Sequence, residues 1–170
     1  MAGDAGPRVD ETWYPPTWRG RPPSMPWTDW QIWQRFLVSR HALYDRYAYD
    51  VLLPVQSPPA SVTDSAMRKM WLENTGKRID AIGRVGDVYT VLEVRELATW
   101  QTLGQVLGYQ VLAELHFPGD TWSRPVIVAG AIAAGVEPAI RAQGVGLVVL
   151  PAPELLQSAA PPRRSSGGGV

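Results

Sequence analysis

The chain contains no cysteine, which excludes disulfides, thiolate metal sites and cysteine nucleophiles without identifying a compartment. Lysine is scarce as well: Lys69 and Lys77 are the only lysines among sixteen basic residues. A GC-rich coding genome produces that bias, so an arginine in this chain does not by itself mark a selected guanidinium. No charge of one sign prevails, the formal net charge being zero; this removes the global basic field of many nucleic-acid binders and leaves room only for a local patch. No signal-peptide core and no apolar run of membrane-spanning length occurs, so a soluble protein, with no membrane partner, is expected.

Tryptophan and proline, by contrast, are abundant at the start. Trp13, Trp18, Trp27, Trp30 and Trp33 place five of the eight tryptophans in the first fifth of the chain, among Pro15-Pro16 and Pro22-Pro23. Proline density favours an extended path, whereas solvated tails are depleted in aromatics. Residues 1–27 therefore read as an extended arm that docks on something, with Trp13, Tyr14, Trp18 and Trp27 as its anchors. Either it wraps its own domain, or it lies on a neighbouring subunit, where Trp, Tyr and Arg are typical anchors.

The segment 78–95 reads as a β-hairpin turning at Gly86-Asp87, a two-residue loop that suits antiparallel strands. With that loop Val85 pairs with Val88, and Asp80 lies opposite Glu93. Alternation then predicts one apolar face of Ile79, Ala81, Gly83, Val85, Val88, Thr90, Leu92 and Val94, and a second of Arg78, Asp80, Ile82, Arg84, Tyr89, Val91, Glu93 and Arg95. Like charges directly opposite destabilise a strand pair. Either a metal ion between Asp80 and Glu93 or a salt-bridge ladder with Arg78 and Arg95 would compensate.

Around this hairpin, Thr28 or Asp29 is placed to cap a helix running to about His41. Residues 44–54 alternate as a strand that Pro54 ends, and 65–74 predict a short helix covering one end of the hairpin. A longer helix is expected over 98–116, with Leu103, Leu107, Val111 and Leu115 spaced by four and a polar stripe of Gln101, Gln105 and Tyr109 beside them. Gly104 and Gly108 lie inside that helix, where they predict close packing on the sheet; His116 falls near its C-terminus, where positive charge is favourable. Two apolar runs, 126–133 and 145–150, read as buried strands joined by a short helix over 135–143. Strand, helix, strand implies a parallel crossover and an α/β sheet. Residues 157–170, rich in Ala, Pro, Ser and Gly, read as a flexible tail, leaving 28–156 as one domain. His41 and His116 have no Ser or Cys partners that suggest a triad.

The sequence of elements, together with Arg78-Ile79-Asp80, Glu93-Val94-Arg95 and Gly104-Gln105-Val106-Leu107-Gly108-Tyr109, resembles the PD-(D/E)xK nuclease superfamily over roughly residues 28–151, and the last segment is similar to the Gln and Tyr motif of RecB-type members. The resemblance implies a restriction-endonuclease-like α/β core, a mixed central sheet of about five strands flanked by helices. It implies further that Asp80 and Glu93, with the Val94 carbonyl, would hold Mg²⁺ or Mn²⁺, and that Gln105 and Tyr109 line the site. Arg95 stands where the family has lysine. A guanidinium can clamp a phosphate but cannot accept a proton; Lys77, at the start of the adjacent strand, is the alternative source of the amine, and its expected strand face, opposite that of Asp80, argues against it.

Two functions follow. The first is a catalytically degenerate nuclease fold acting as a structural or assembly component that docks on protein neighbours or copies of itself through its arm. Resemblance to small tailed-phage members puts it in a virion, near the head-to-tail connector, or in the host cytoplasm. The second is an active metal-dependent DNA nuclease with Asp80 and Glu93 as ligands, Arg95 as phosphate clamp and DNA as partner.

Overall fold

A computed structural model describes residues 12–39 and 41–152. The first eleven residues of the arm, the expected end of the domain at 153–156 and the expected tail at 157–170 lie outside the described residues. The elements run α1 Trp27–Leu37, β1 Arg46–Leu53, α2 Ser65–Thr75, β2 Lys77–Val85, β3 Val88–Ala98, α3 Trp100–His116, β4 Thr121–Trp122, β5 Val126–Ile132, α4 Val136–Ala142 and β6 Gly146–Val149.

The hairpin pairs as its loop requires, from Val85 with Val88 to Ala81 with Leu92. Gly86 has φ of 57° while Asp87 stays out of the left-handed region, the pattern of a type II′ turn, in which only the first loop residue needs a glycine-like conformation. β1 adds antiparallel to β2, and β5 and β6 add parallel to β3 and to each other, giving the order β1-β2-β3-β5-β6 with β4 a two-residue addition beside β3. This is the mixed α/β sheet flanked by helices that the sequence predicts, with one short strand more than expected. No helix among the described residues is long and apolar enough to cross a membrane.

Two apolar layers cover the sheet. On one side Ile32, Trp33, Phe36 and Leu37 of α1 meet Tyr47, Tyr49, Ala81, Leu92 and Val94. On the other, Leu103, Val106 and Tyr109 of α3 and Val136 and Ile140 of α4 meet Ala48, Val51, Ile79, Ile82 and Val91. Both faces of the hairpin are therefore core, in place of the single apolar face expected. Strict alternation also fails on β2, because Ile79 lies with Ile82 and not with Ala81. The reason is local: opposite Asp80, Asp50 adopts φ of 57°, a conformation L-residues avoid and Asp tolerates better than most. That kink shifts Val51 and Leu53 to the α3 side while Tyr47 and Tyr49 stay on the α1 side.

Three further expectations change. α1 ends at Leu37, four residues early, and begins without a side-chain cap because Asp29 falls inside the first turn. α2 forms, capped by the Asp64 carboxylate accepting from Met67 N at 2.9 Å, but it buries none of its residues fully and packs only through the half-buried Trp71, Leu72 and Thr75 at its end. Gly104 and Gly108 do not face the sheet; a Cβ at either would meet no atom within 4 Å. The α3 end is nearer expectation, His116 being its last residue with Nε2 against the Pro54 carbonyl.

The described arm lies on its own domain. Tyr14 and Tyr47 exchange backbone hydrogen bonds of 2.7 and 2.9 Å, so the arm occupies the outer edge of β1, whose unpaired groups would otherwise invite another chain. Successive residues of an extended segment point to opposite faces, and the arm uses both. Trp13 packs toward Tyr89, at 5.9 Å between rings, on the α3 side; Tyr14 and Trp18 pack on Tyr49, at 5.4 and 5.0 Å, on the α1 side. Of the four expected anchors, these three are held by the chain itself, and Trp27 is left 58% exposed.

Deletion of residues 1–26 should consequently lower the melting temperature and raise light scattering, as the edge of β1 and the rings of Tyr47 and Tyr49 lose their cover. A truncated chain that melts with the full-length protein and stays monodisperse would show that the clasp adds nothing.

Candidate functional site

Asp80, Glu93 and Arg95 come together where β2 and β3 leave their regular pairing, joined by Asp29 from α1. Asp80 Oδ2 accepts from the backbone N–H of Val94 at 2.9 Å and from Arg95 Nη1 at 3.2 Å. Asp29 Oδ1 accepts from the backbone N–H of Glu96 at 2.8 Å, and its Oδ2 lies 3.5 Å from Arg95 Nη1. Arg95 Nη2 contacts Glu93 Oε1, and Nη1 donates to the Val94 carbonyl at 2.8 Å. A single guanidinium thus touches three carboxylates and one carbonyl on α1, β2 and β3.

Of the two compensations open to facing acids, the geometry contains the salt bridge, and only Arg95 makes it. Arg78 turns away to Asp50, donating to its Oδ2 and to its carbonyl, both at 3.1 Å. Ser24 of the arm donates to the other oxygen of Asp50, so the kinked residue is held from both sides. Asp29 was missed in the sequence because an Asp at a helix start reads as a cap, and nothing local shows that its carboxylate bonds a strand 67 residues away.

Burial dominates the electrostatics. Glu93 is 0% exposed, and burial followed by the charge of Asp80 pushes its carboxyl up to about 8, against the opposing pull of Arg95. Burial likewise raises Asp80 to about 6, with Arg95 and the Val94 N–H acting the other way, and raises Asp29 above the ordinary carboxylate range. For Arg95 burial acts downward, but Asp80, Glu93 and Asp29 outweigh it and hold the guanidinium charged. Neither oxygen of Glu93 receives an aligned hydrogen bond, Oε1 having only the ionic contact. Burial thus works against the charged form of all three carboxyls, and Arg95 is the positive charge set against them.

The residues do not fit the divalent ion that the resemblance implies. Among the described residues no group of three or more His, Cys, Asp or Glu side chains is arranged to hold a metal. The oxygens assigned to the ion, from Asp80, Glu93 and Val94, are the ones Arg95 already contacts. Gln105 and Tyr109 sit beside the cluster: Gln105 Nε2 donates to the Tyr109 hydroxyl at 3.3 Å, and burial, then Glu93, raises the Tyr109 phenol. Both residues line an open groove of about 520 Å³ with Lys77, Gln101, Gly104 and Gly108.

The direction of the Glu93 shift fixes a pH dependence. A carboxyl raised from 4.5 to about 8 binds its proton more tightly in the folded state, so its contribution is full below the ordinary value and is lost as pH climbs through the folded one. Thermal stability should fall between about pH 5 and pH 8, and Glu93→Gln, which keeps the shape and cannot ionise, should flatten that decline. Parallel melting curves of the two proteins across this range are the check; equal slopes would remove Glu93 as the titrating group.

No family model matches the chain, and no curated protein matches it. Among solved structures, the chain is similar to the crystal structure of a repair endonuclease from Pyrococcus abyssi, at 22% identity and a TM-score of 0.35. The likeness covers 45% of this chain and 34% of that one, so it spans about a third of the neighbour's length.

Proposed function

We propose that the chain is a catalytically degenerate member of the PD-(D/E)xK superfamily that serves as a structural or assembly component. The observation that carries this reading is the seat of Arg95. Its guanidinium contacts Asp29, Asp80, Glu93 and the Val94 carbonyl together, the place and the oxygen set in which phosphodiester hydrolysis of this type needs a divalent ion. Arg95 is also a poor proton acceptor, since a guanidinium stays charged throughout the working pH range. The tailed-phage virion, near its connector, is the setting implied by the sequence resemblance. Trp27, half the surface of which faces solvent, is the arm residue left for a protein neighbour.

One observation favours a second reading, metal-dependent DNA cleavage: Glu93 Oε2 is buried without a hydrogen-bond donor and Oε1 has only the ionic contact with Arg95, as a ligand short of partners would be. That reading requires Arg95 to leave its seat.

Wild-type protein should cleave neither single- nor double-stranded DNA with Mg²⁺ or Mn²⁺, and Mn²⁺ should not raise its melting temperature. Arg95→Ala should lose roughly 3–5 kcal/mol, the usual effect of stripping one partner from a buried charge cluster. Added Mn²⁺ should restore part of that loss by neutralising the exposed acids. Mn²⁺-dependent cutting by wild type that Asp80→Asn abolishes would replace the first reading with the second.

A further inference from the structure

The outward face of α3 is built for company. Gln101, Gly104, Gly108, Val111 and Leu115 are all exposed, and their spacings of three and four residues put them in one stripe along the helix. Thr102, Leu103, Val106, Tyr109 and Ala113, which face the sheet, lie on the opposite side. The stripe is uneven. Its N-terminal half is hollow, because Gly104 and Gly108 leave open space beside the groove of about 520 Å³. Its C-terminal half is bulky, with Val111 56% and Leu115 70% exposed.

Within the fold these choices have no reward. Glycine is the poorest helix former after proline, and neither Gly104 nor Gly108 brings the helix closer to the sheet. Exposed helix faces are ordinarily rich in charge, yet α3 carries Glu114 as its one carboxylate and His116 as its one basic residue. Neither lies on the stripe, and Lys77, the charged side chain of the groove wall, sits beside its hollow half, so an antiparallel copy keeps the two lysines at opposite ends.

We propose that the occupant of this face is α3 of a second copy, packed antiparallel about a twofold axis that sets Gly104 opposite Leu115 and Gly108 opposite Val111. The hollow half of each helix then receives the bulky half of the other. A parallel pair would set glycine against glycine and Leu115 against Leu115, leaving a void at one end and a clash at the other. A twofold contact of one patch with itself is the commonest form of oligomer, and glycines at the crossing let two backbones approach to the short end of the ~8–10 Å range. The area is that of a weak, reversible dimer: α3 is about 25 Å long and a helix presents a strip roughly 10–12 Å wide, so the two helix faces alone supply roughly 500–600 Å², and the groove walls add to this toward the ~1,000 Å² total of a specific interface. The inference deepens the assembly reading by naming the partner and rests on it for its biological sense. The dimer would cover the groove beside Gln105 and Tyr109.

Sedimentation velocity of the full chain over a concentration series should show a monomer–dimer equilibrium. Gly108→Leu, which enters open space and improves helix propensity, should abolish the dimer without lowering the melting temperature of the dilute monomer. Because the chain has no cysteine, the arrangement can be read by disulfide trapping. A mixture of Gly108→Cys and Val111→Cys proteins should crosslink between the two variants far more than either does alone. A chain that stays monomeric at every concentration, a Gly108→Leu protein that dimerises like wild type, or crosslinking of Gly108→Cys chiefly to itself would each overturn the proposal. DNA cleavage by a protein that dimerises as drawn would remove the non-catalytic reading and leave the dimer standing, whereas a monomer that cuts no DNA would do the reverse.

Discussion

The guanidinium of Arg95 is the tie on which the centre of this molecule depends. It gathers a carboxylate from α1, one from β2 and one from its own strand, and so fixes how the first helix approaches the sheet. Without that positive charge three acids would be confined together, the arrangement that burial penalises most. Backbone donors share the load: the N–H groups of Val94 and Glu96 each serve one carboxylate. The cluster stands where β2 stops pairing regularly with β3 and where Asp50 kinks β1, so its geometry and the bend of the sheet are mutually dependent.

How much of this was legible depended on whether the determining contacts were near in sequence. The hairpin register was readable because the Gly86-Asp87 loop and the flanking branched residues all lie within a dozen positions. The parallel pair β5 and β6 was readable because runs of valine and isoleucine with a short helix between them admit few other arrangements. The face change at Asp80 was not, since it comes from Asp50, which takes a glycine-like conformation on the neighbouring strand with no glycine in the sequence to signal it. Asp29 was hidden for a similar reason. Its position at a helix start supports an ordinary local role, and only the three-dimensional approach of Glu96 and Arg95 gives it another.

The glycines of α3 show the same limit from the other direction. In sequence, glycine at four-residue spacing in a helix suggests close packing, and that reading carries no information about which neighbour is packed. The folded chain puts Gly104 and Gly108 on the side away from the sheet, so the property survives while its object changes. The arm behaves comparably: tryptophan density names no surface for the segment to dock on, and the backbone exchange between Tyr14 and Tyr47 shows that its described part docks at home.

That exchange has a bearing on the order in which the protein is made. The arm precedes in sequence the strand it joins, and β1 is itself an edge strand whose partner in the sheet, β2, ends at Val85. For the time needed to synthesise those residues, a segment rich in tryptophan has nothing to bind. Its prolines hold it extended and deny it the donors that stray β-pairing would use. The arm is therefore made before its own docking surface, and its composition is suited to the wait.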